Sequence, residues 1–425
     1  MAANLFGQTL PHNLTEEERS RLHEIGLIRQ VTDPPQYIQS APAEFDSVSG
    51  IIFSWQAYST LLTDLVKEVA EHDTAWVVVS GTSEQNSVSA TLNSNNVNMD
   101  NVVFHTAQTN SVWIRDYGPW WIYDDMGERA VIDLVYNRPR PLDDDFPETF
   151  AELYDMDFFG TDLTQAGGNM LLDGQGAVII SNIIFDDSEG FDPTLTQEEL
   201  EETMLAYFGV HKVIVVPHLE YDGTGHVDMF VKIINDTTII VGEYTSSTAA
   251  AGDNYAITNS VAAQLAAETN GAGRPYTVER MLMPSYSGGI TYTYINSLIV
   301  NRKVLVPVYG FSTDQQALDL YETLMPGYEA VGFDCNDIIT SNGAIHCIAM
   351  KVPAAGLVDP ICSDWLTGDV NRDGNVDIFD VFLIADQAAS GDSRGICFDR
   401  VADLNGDDSI SLYDATLLVK EIMRL

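Results

Sequence analysis

The chain reads as an α/β protein followed by a small all-α module, and three observations predict this. Seven short runs rich in Val and Ile are bounded by Gly, Asn, Asp or Pro, the pattern of buried strands: SGIIFSW, TAWVVVS, AVIDLVY, AVIISNIIF, KVIVVPH, TTIIVGEY and YINSLIVNRKVLVPV. Amphipathic stretches lie between them. Three open on capping-box patterns, Thr15 to Glu18, Thr196 to Glu199 and Thr313 to Gln316, and further helical pattern covers residues 57–71 and 255–269. Near residue 351 the character changes. KVPAAGLVDPICSDWLTG reads as a linker, and from Gly368 the chain is Asp-rich and repetitive. The expected domains are 1–352 and 367–425, joined by a linker over 353–366. A module of about 60 residues buries little core and calls for a metal or a partner.

Charge narrows the function. With 20 Lys+Arg against 63 Asp+Glu the formal net charge is -43, which argues against nucleic acid and against an anionic membrane surface. No run of 18 apolar residues is present, so no membrane insertion is expected. The start, MAANLFGQTLPHNLTEEE, lacks the basic and apolar regions of a signal peptide, although it also suits a mature segment behind an added Met. Cys335, Cys347, Cys362 and Cys397 include no C-x-x-C, which disfavours zinc. No GxGxxG or Walker loop follows a strand, so nucleotide binding has no support.

In the C-terminal part, DVNRDGNVDIFD (369–380) and DLNGDDSISLYD (403–414) align at a spacing of 34. Hard oxygen donors in a 12-residue loop are what Ca²⁺ requires. One set is Asp369, Asn371, Asp373, Asp377 and Asp380, with the Asn375 carbonyl. The other is Asp403, Asn405, Asp407, Ser411 and Asp414, with the Ser409 carbonyl. Val376 and Ile410 point into the core, and an amphipathic helix follows each loop. Acidic turns without metal are the plain alternative. The pair resembles a dockerin, over about residues 365–425. The resemblance implies two structural Ca²⁺ ions and a cohesin partner on an extracellular scaffoldin, hence a secreted protein. Asp408 stands where the second loop usually has its turn Gly. Ile378-Phe379 and Leu412-Tyr413 occupy the positions where dockerins carry partner-reading residues. Cys362 and Cys397 flank the first half, and spacing alone does not show whether they are bonded.

In the large domain, four segments carry chemistry: WIRDYGPWW (113–121), GHVDM (225–229), YINSLIVN (294–301) and NGAIHCIAM (342–350). Each has a structural alternative. Asp116 pairs plausibly with Arg115, His226 suits a satisfied core histidine, and Cys347 suits a buried core thiol. On a strand, His226 and Asp228 would share one face, and neighbours His346 and Cys347 would point apart. Together they match one reaction. A guanidinium is a planar cation with five donors, grasped by two carboxylates. A thiolate attacks its carbon, and a histidine serves as general acid and then base.

These segments, in order over roughly residues 30–352, resemble the peptidylarginine deiminase and agmatine deiminase family of guanidine-modifying enzymes. W-x-R-D-x-G-P, G-H-V-D and G-x-I-H-C carry the resemblance. It implies a pseudo-fivefold α/β-propeller of about five ββαβ-like units and no cofactor for catalysis. It also implies Cys347 as nucleophile, His226 as general acid/base, Asp116 and Asp228 as guanidinium ligands, and Asn296 near the nucleophile. Gly167-Gly168-Asn169 matches the family's G-G-N turn, but Ala166 stands where agmatine deiminases often have Glu.

Substrate choice turns on YNRPR (136–140), two arginines stiffened by prolines in an acidic chain. Charge alone would pair them with Asp143, Asp144 and Asp145 on the surface. The segment also resembles the part of secreted bacterial peptidylarginine deiminases where two arginines clamp a terminal carboxylate, which implies that role for Arg138 and Arg140 and an aromatic wall at Trp113. The expected reaction is deimination of a peptide's C-terminal arginine to citrulline. An agmatine or free-arginine deiminase and a catalytically silent scaffold-bound binding protein stand as alternatives.

Overall fold

A computed structural model describes residues 10–27, 30–124, 127–245, 253–354, 367–371, 375–390, 401–405 and 409–423. The chain divides into two compact units, Met1–Ile122 with Arg129–Ala354, and Tyr123–Glu128 with Ala355–Leu425.

The first unit repeats one motif around five sheets. Strands β1 (Val48–Ser54), β2 (Thr74–Val79) and β3 (Val102–Thr106) run parallel. The next sheet is β4 (Trp120–Tyr123), β5 (Arg129–Tyr136) and β6 (Phe158–Gln165). It is followed by β7 (Leu171–Leu172), β8 (Ala177–Ser181) and β9 (Lys212–Val216). Then come β10 (Val231–Asn235), β11 (Thr238–Glu243) and β12 (Thr277–Leu282), and β13 (Leu298–Val300), β14 (Lys303–Val308) and β15 (Glu329–Asp334). The last strand, β16 (Met350–Pro353), returns to β1 in antiparallel register, Ile52 opposite Met350. In the last three of these three-stranded sheets the first and middle strands are antiparallel, and the middle strand pairs in parallel with the next.

A parallel neighbour requires a crossover, and helices supply it. Ser59–Val69 joins β1 to β2, Phe146–Tyr154 joins β5 to β6, and Gln197–Phe208 joins β8 to β9. Asp253–Ala266 and Asp314–Leu324 do the same for the last two sheets. Middle strands covered on both faces are buried throughout, as the Val/Ile runs predict: Val178, Ile179 and Ile180 in β8, Ile239, Ile240 and Val241 in β11. No ladder joins one sheet to the next among the described strands. The expected closed propeller is therefore not seen, and the architecture stands as an α/β fold of five separate sheets.

The capping boxes form at Thr15–Glu18 and Thr196–Glu199. Thr313 is the exception: its backbone is helical and its hydroxyl meets Tyr294 Oη at 2.7 Å instead of capping. Asp314 serves that helix start, accepting from the N–H groups of Tyr309, Gly310 and Phe311.

The second unit has two described helices, Ile378–Ser390 and Leu412–Ile422. Its core is Val370, Val381, Ile384, Val401, Ala402, Ala415 and Leu418, with Val376 and Ile410 packed against it as their loop position predicts.

Candidate active site

Five connections, one entering each sheet's antiparallel or first strand, deliver the chemistry. Asp116 lies in the turn Ile114–Tyr117 before β4, and Gly168 in Gly167–Asn169 before β7. His226 and Asp228 precede β10, Asn296 precedes β13, and Cys347 sits in His346–Ile348 before β16. The strand expectation for H-V-D and H-C fails here. Val227–Met229 and His346–Ile348 are 3₁₀ turns, because their N–H groups close local bonds before the ladder starts. His226 is extended and caps its turn, so the turn, not strand alternation, aims it together with Asp228.

The groups converge on Gly168. A Cβ there would lie 2.7 Å from His226 Nδ1, 3.0 Å from Asp116 Oδ1 and 3.1 Å from Asp228 Oδ2, so glycine leaves open the point they face. Gly168 N–H donates to Asp116 Oδ1 at 3.0 Å. Asn296 Nδ2 donates to Asp228 Oδ2 at 2.9 Å and lies 3.2 Å from Cys347 Sγ, which is itself 3.9 Å from Asp228 Oδ2. His226, Asp228, Asn296 and Cys347 are fully buried.

Burial sets the protonation states. It pushes the Cys347 thiol well up, and the carboxylates of Asp228 and Asp116 add to this. Burial pushes His226 down to about 4, although Asp116 opposes it. Among the described residues neither nitrogen of His226 has a hydrogen-bond partner, and Asp116 Oδ1 is 3.6 Å from Nδ1. For Asp116, burial favours the neutral acid, but His12 and His226 outweigh it and hold the carboxyl well below its usual range. A neutral imidazole thus faces a neutral thiol and two carboxylates around one small space.

Three participants escape a reading of the sequence. His346 Nδ1 lies 2.6 Å from Asp228 Oδ2, and its other nitrogen bonds Glu44. Glu44 also pairs with Lys232 at 2.7 Å and approaches Arg115 at 3.9 Å, and Arg115 Nε donates to the His346 carbonyl at 3.3 Å. Burial would raise Glu44, but His346, Lys232 and Arg115 keep it well below its usual range. His12, in a segment with no motif, is fully buried and bonds Asp116 Oδ2. One atom each of His12, Asp116 and His226 lie within 4.8 Å of one another, a donor set that suits a transition metal.

Arg138 and Arg140 are buried, which rules out the surface pairing with Asp143–Asp145. Arg140 pairs with Glu18 at 2.7 Å and Arg138 with Glu189 at 3.1 Å. Asp143 instead accepts from Asn110 and Ser111 N–H and from the Ser111 hydroxyl, and burial pushes it up to about 7. Trp113 is buried with its indole N–H donating to the Leu10 carbonyl at 2.9 Å.

In the second unit, Asp380 and Asp414 occupy equivalent positions and are fully buried. Asp380 Oδ1 accepts from Val370 and Asn371 N–H, and Asp414 Oδ1 from Leu404 and Asn405 N–H. Their other oxygens take Asp377 N–H and Ser411 N–H. Each loop is thus folded around an inward carboxylate, with Asp369 also buried, and this hard oxygen set fits Ca²⁺. Asp373, Asp407, Asp408, Cys362 and Cys397 lie outside the described residues, as do linker positions 355–366.

A buried thiol, an imidazole and paired carboxylates around one small space define a hydrolase acting on guanidino C–N bonds. Residues 41–353 match the model of the Porphyromonas-type peptidyl-arginine deiminase family, and the chain belongs to that family. Residues 367–423 match the dockerin type I domain, which forms the C-terminus. Among curated proteins, the "Putative agmatine deiminase" of Latilactobacillus sakei is 25% identical over 290 residues, 60% of this chain and 78% of that protein. Among solved structures, the agmatine deiminase of Enterococcus faecalis aligns with a TM-score of 0.66 at 24% identity, covering 76% of this chain and 99% of that one. A Campylobacter jejuni agmatine deiminase with substrate bound aligns with a TM-score of 0.65 at 17% identity, covering 74% and 96%. These structural likenesses show the fold.

Proposed function

We propose that the first unit deiminates the guanidinium of arginine to give citrulline and ammonia, and that the substrate is a peptide or protein with a C-terminal arginine. The observation that carries the reaction is the convergence of His226, Asp116 and Asp228 on the point beside Gly168, with Cys347 linked to it through Asn296. Asp116 and Asp228 hold the two edges of the guanidinium. His226, neutral in the free site, takes the proton from the Cys347 thiol as Sγ adds to the guanidinium carbon. That proton passes to the departing ammonia, leaving an S-alkylthiouronium. His226 then accepts a proton from water, whose oxygen adds to the same carbon. Loss of the Cys347 thiol frees the ureido product. The substrate cation favours the thiolate between two carboxylates that otherwise oppose it. Asn296 positions the nucleophile and Asp228 together.

Arg138 and Arg140 support the carboxylate-bearing substrate, since both guanidinium groups are buried and Arg140 already holds a carboxylate, that of Glu18, through Nε and Nη2. A second reading, agmatine, is favoured by the names of the relatives and needs neither arginine. Incubation with agmatine, free arginine and a peptide ending in arginine, followed by assay of ureido product, separates them. Turnover of agmatine alone removes the carboxylate clamp; no turnover of any substrate with Cys347 reduced leaves a non-catalytic binding protein.

The same reading assigns residues 1–352 to catalysis, 353–366 to a linker and 367–425 to anchoring. Two Ca²⁺ ions, held by the oxygens of Asp369, Asp380, Asp414 and their loop neighbours, would supply charge that ties each loop to its helix. A cohesin would dock on the exposed Ile378, Phe379, Leu412 and Tyr413, placing the enzyme outside the cell on a scaffold. Among the described residues no helix is long and apolar enough to cross a membrane.

A further inference from the structure

The segment Leu10–Glu18 lies inside the site, and its contacts follow the pattern expected of a substrate. His12 bonds Asp116 Oδ2, the carboxylate assigned to the guanidinium. Its ring stacks on Trp113, centroids 4.3 Å apart and planes 12° from parallel, and stands edge-on to His226 at 5.1 Å. A Cβ at Gly343 would meet Trp113, His12 Nδ1 and Cys347 Cβ at 2.5, 3.1 and 3.2 Å, so Gly343 is flanked by all three residues. The backbone fills the arginine fork. Arg140 Nη2 donates to the Pro11 carbonyl at 2.8 Å, and Arg138 Nε to the His12 carbonyl at 3.1 Å. Glu18 then places its carboxylate on Arg140. His12 N–H donates to Ser341 O, and Nδ1 is 2.7 Å from Asn342 O, in the turn leading to Cys347.

We propose that Leu10–Glu18 is an intramolecular occupant of the guanidine site, His12 standing for the guanidinium and Glu18 for the substrate carboxylate. An imidazole is planar with N–H donors at its edge, so it satisfies one carboxylate and one stacking face of a site built for guanidinium. It lacks an electrophilic carbon that a thiol attacks, so it blocks without reacting. Substrate and segment exclude each other, because both need Asp116, Trp113 and the arginine fork. The inference rests on the deiminase reading for the names of the subsites, not for the contacts.

The test is the accessibility of Cys347, which needs no turnover. The full chain, its His12→Ala variant and a form lacking residues 1–19 are treated in EDTA with chloroacetamidine, a small planar cationic alkylating agent. Modification is read on the Cys347 peptide by mass spectrometry. The occupant predicts at least tenfold faster alkylation in both altered proteins, and a return toward the slow rate when imidazole is added to His12→Ala. Equal rates in all three proteins overturn it, as does acceleration in neither variant when melting curves show both folded. Fast alkylation of the variants without ureido product from any guanidine leaves the occupant standing and removes the deiminase reading.

Discussion

His346 Nδ1 and Asn296 Nδ2 reach the same oxygen, Asp228 Oδ2, at 2.6 and 2.9 Å. Sharing one acceptor leaves Asp228 Oδ1 without a hydrogen bond among the described residues, where the proposed guanidinium would place an N–H. His346→Ala should release one of the two restraints on Asp228. Guanidine turnover is expected to lose roughly tenfold to a hundredfold in kcat/KM, mostly in KM, as when an orienting partner of a site ligand is removed. Steady-state kinetics check this; an unchanged KM returns His346 to a purely structural role.

Gly168→Ala should be more severe than its size suggests. The added methyl would occupy the point 2.7–3.1 Å from His226, Asp116 and Asp228. Activity should fall by at least about a hundredfold, the order seen when reacting groups are misplaced by about 1 Å. The melting temperature should move far less than for a core cavity. Retained activity in Gly168→Ala would mean that the reacting carbon sits elsewhere.

Arg140→Ala removes the cation paired with buried Glu18, whereas Glu189 keeps Arg19 at 2.7 Å when Arg138 is removed. Breaking a buried pair from one side costs about 3–5 kcal/mol, so Arg140→Ala should unfold at clearly lower denaturant and Arg138→Ala at a smaller shift. Substrate preference is therefore best read as a ratio within each folded variant. The kcat/KM for a peptide ending in arginine should drop against that for agmatine, and a constant ratio would remove the fork from substrate binding.

The pH dependence carries a definite sign for His226. Burial holds it at about 4 against an ordinary 6.5, so the unfolded chain binds a proton between these values and the folded chain does not. Its contribution to stability is therefore lost as pH falls from 6.5 to 4, by at most roughly 3 kcal/mol. His105, also lowered to about 4 by burial, acts in the same direction. Asp143 and Asp222, pushed up to about 7 by burial, oppose both. The difference between wild type and His226→Asn isolates one group: the variant should gain on the wild type across this window in urea melts. Parallel curves would show that His226 titrates alike in both states.

Chelation should act on the C-terminal unit alone. Calorimetry with EDTA is expected to lower its transition by more than about 10 °C while that of the α/β unit stays in place, since an ion bound only to the folded loops stabilises by mass action. Identical traces with and without EDTA would rule out the calcium loops.

The sequence by itself determined the α/β class, because β-branched runs bounded by turn residues have few other solutions. It also named the candidate set that the structure brings together, since Asp116, His226, Asp228, Asn296 and Cys347 sit in short segments whose side-chain chemistry is specific. The C-terminal repeat was equally legible, because ligand spacing within one loop is local. Tertiary structure alone decided where the turns aim these groups: strand alternation misjudged His346, which the 3₁₀ turn brings to Asp228. It alone brought Glu44 and Lys232 together, 188 residues apart. It alone moved Arg138 and Arg140 from an acidic surface into a buried fork and laid His12 on Asp116. Pairing across such separations depends on which loops the five sheets hold side by side, and local propensity carries no information about that.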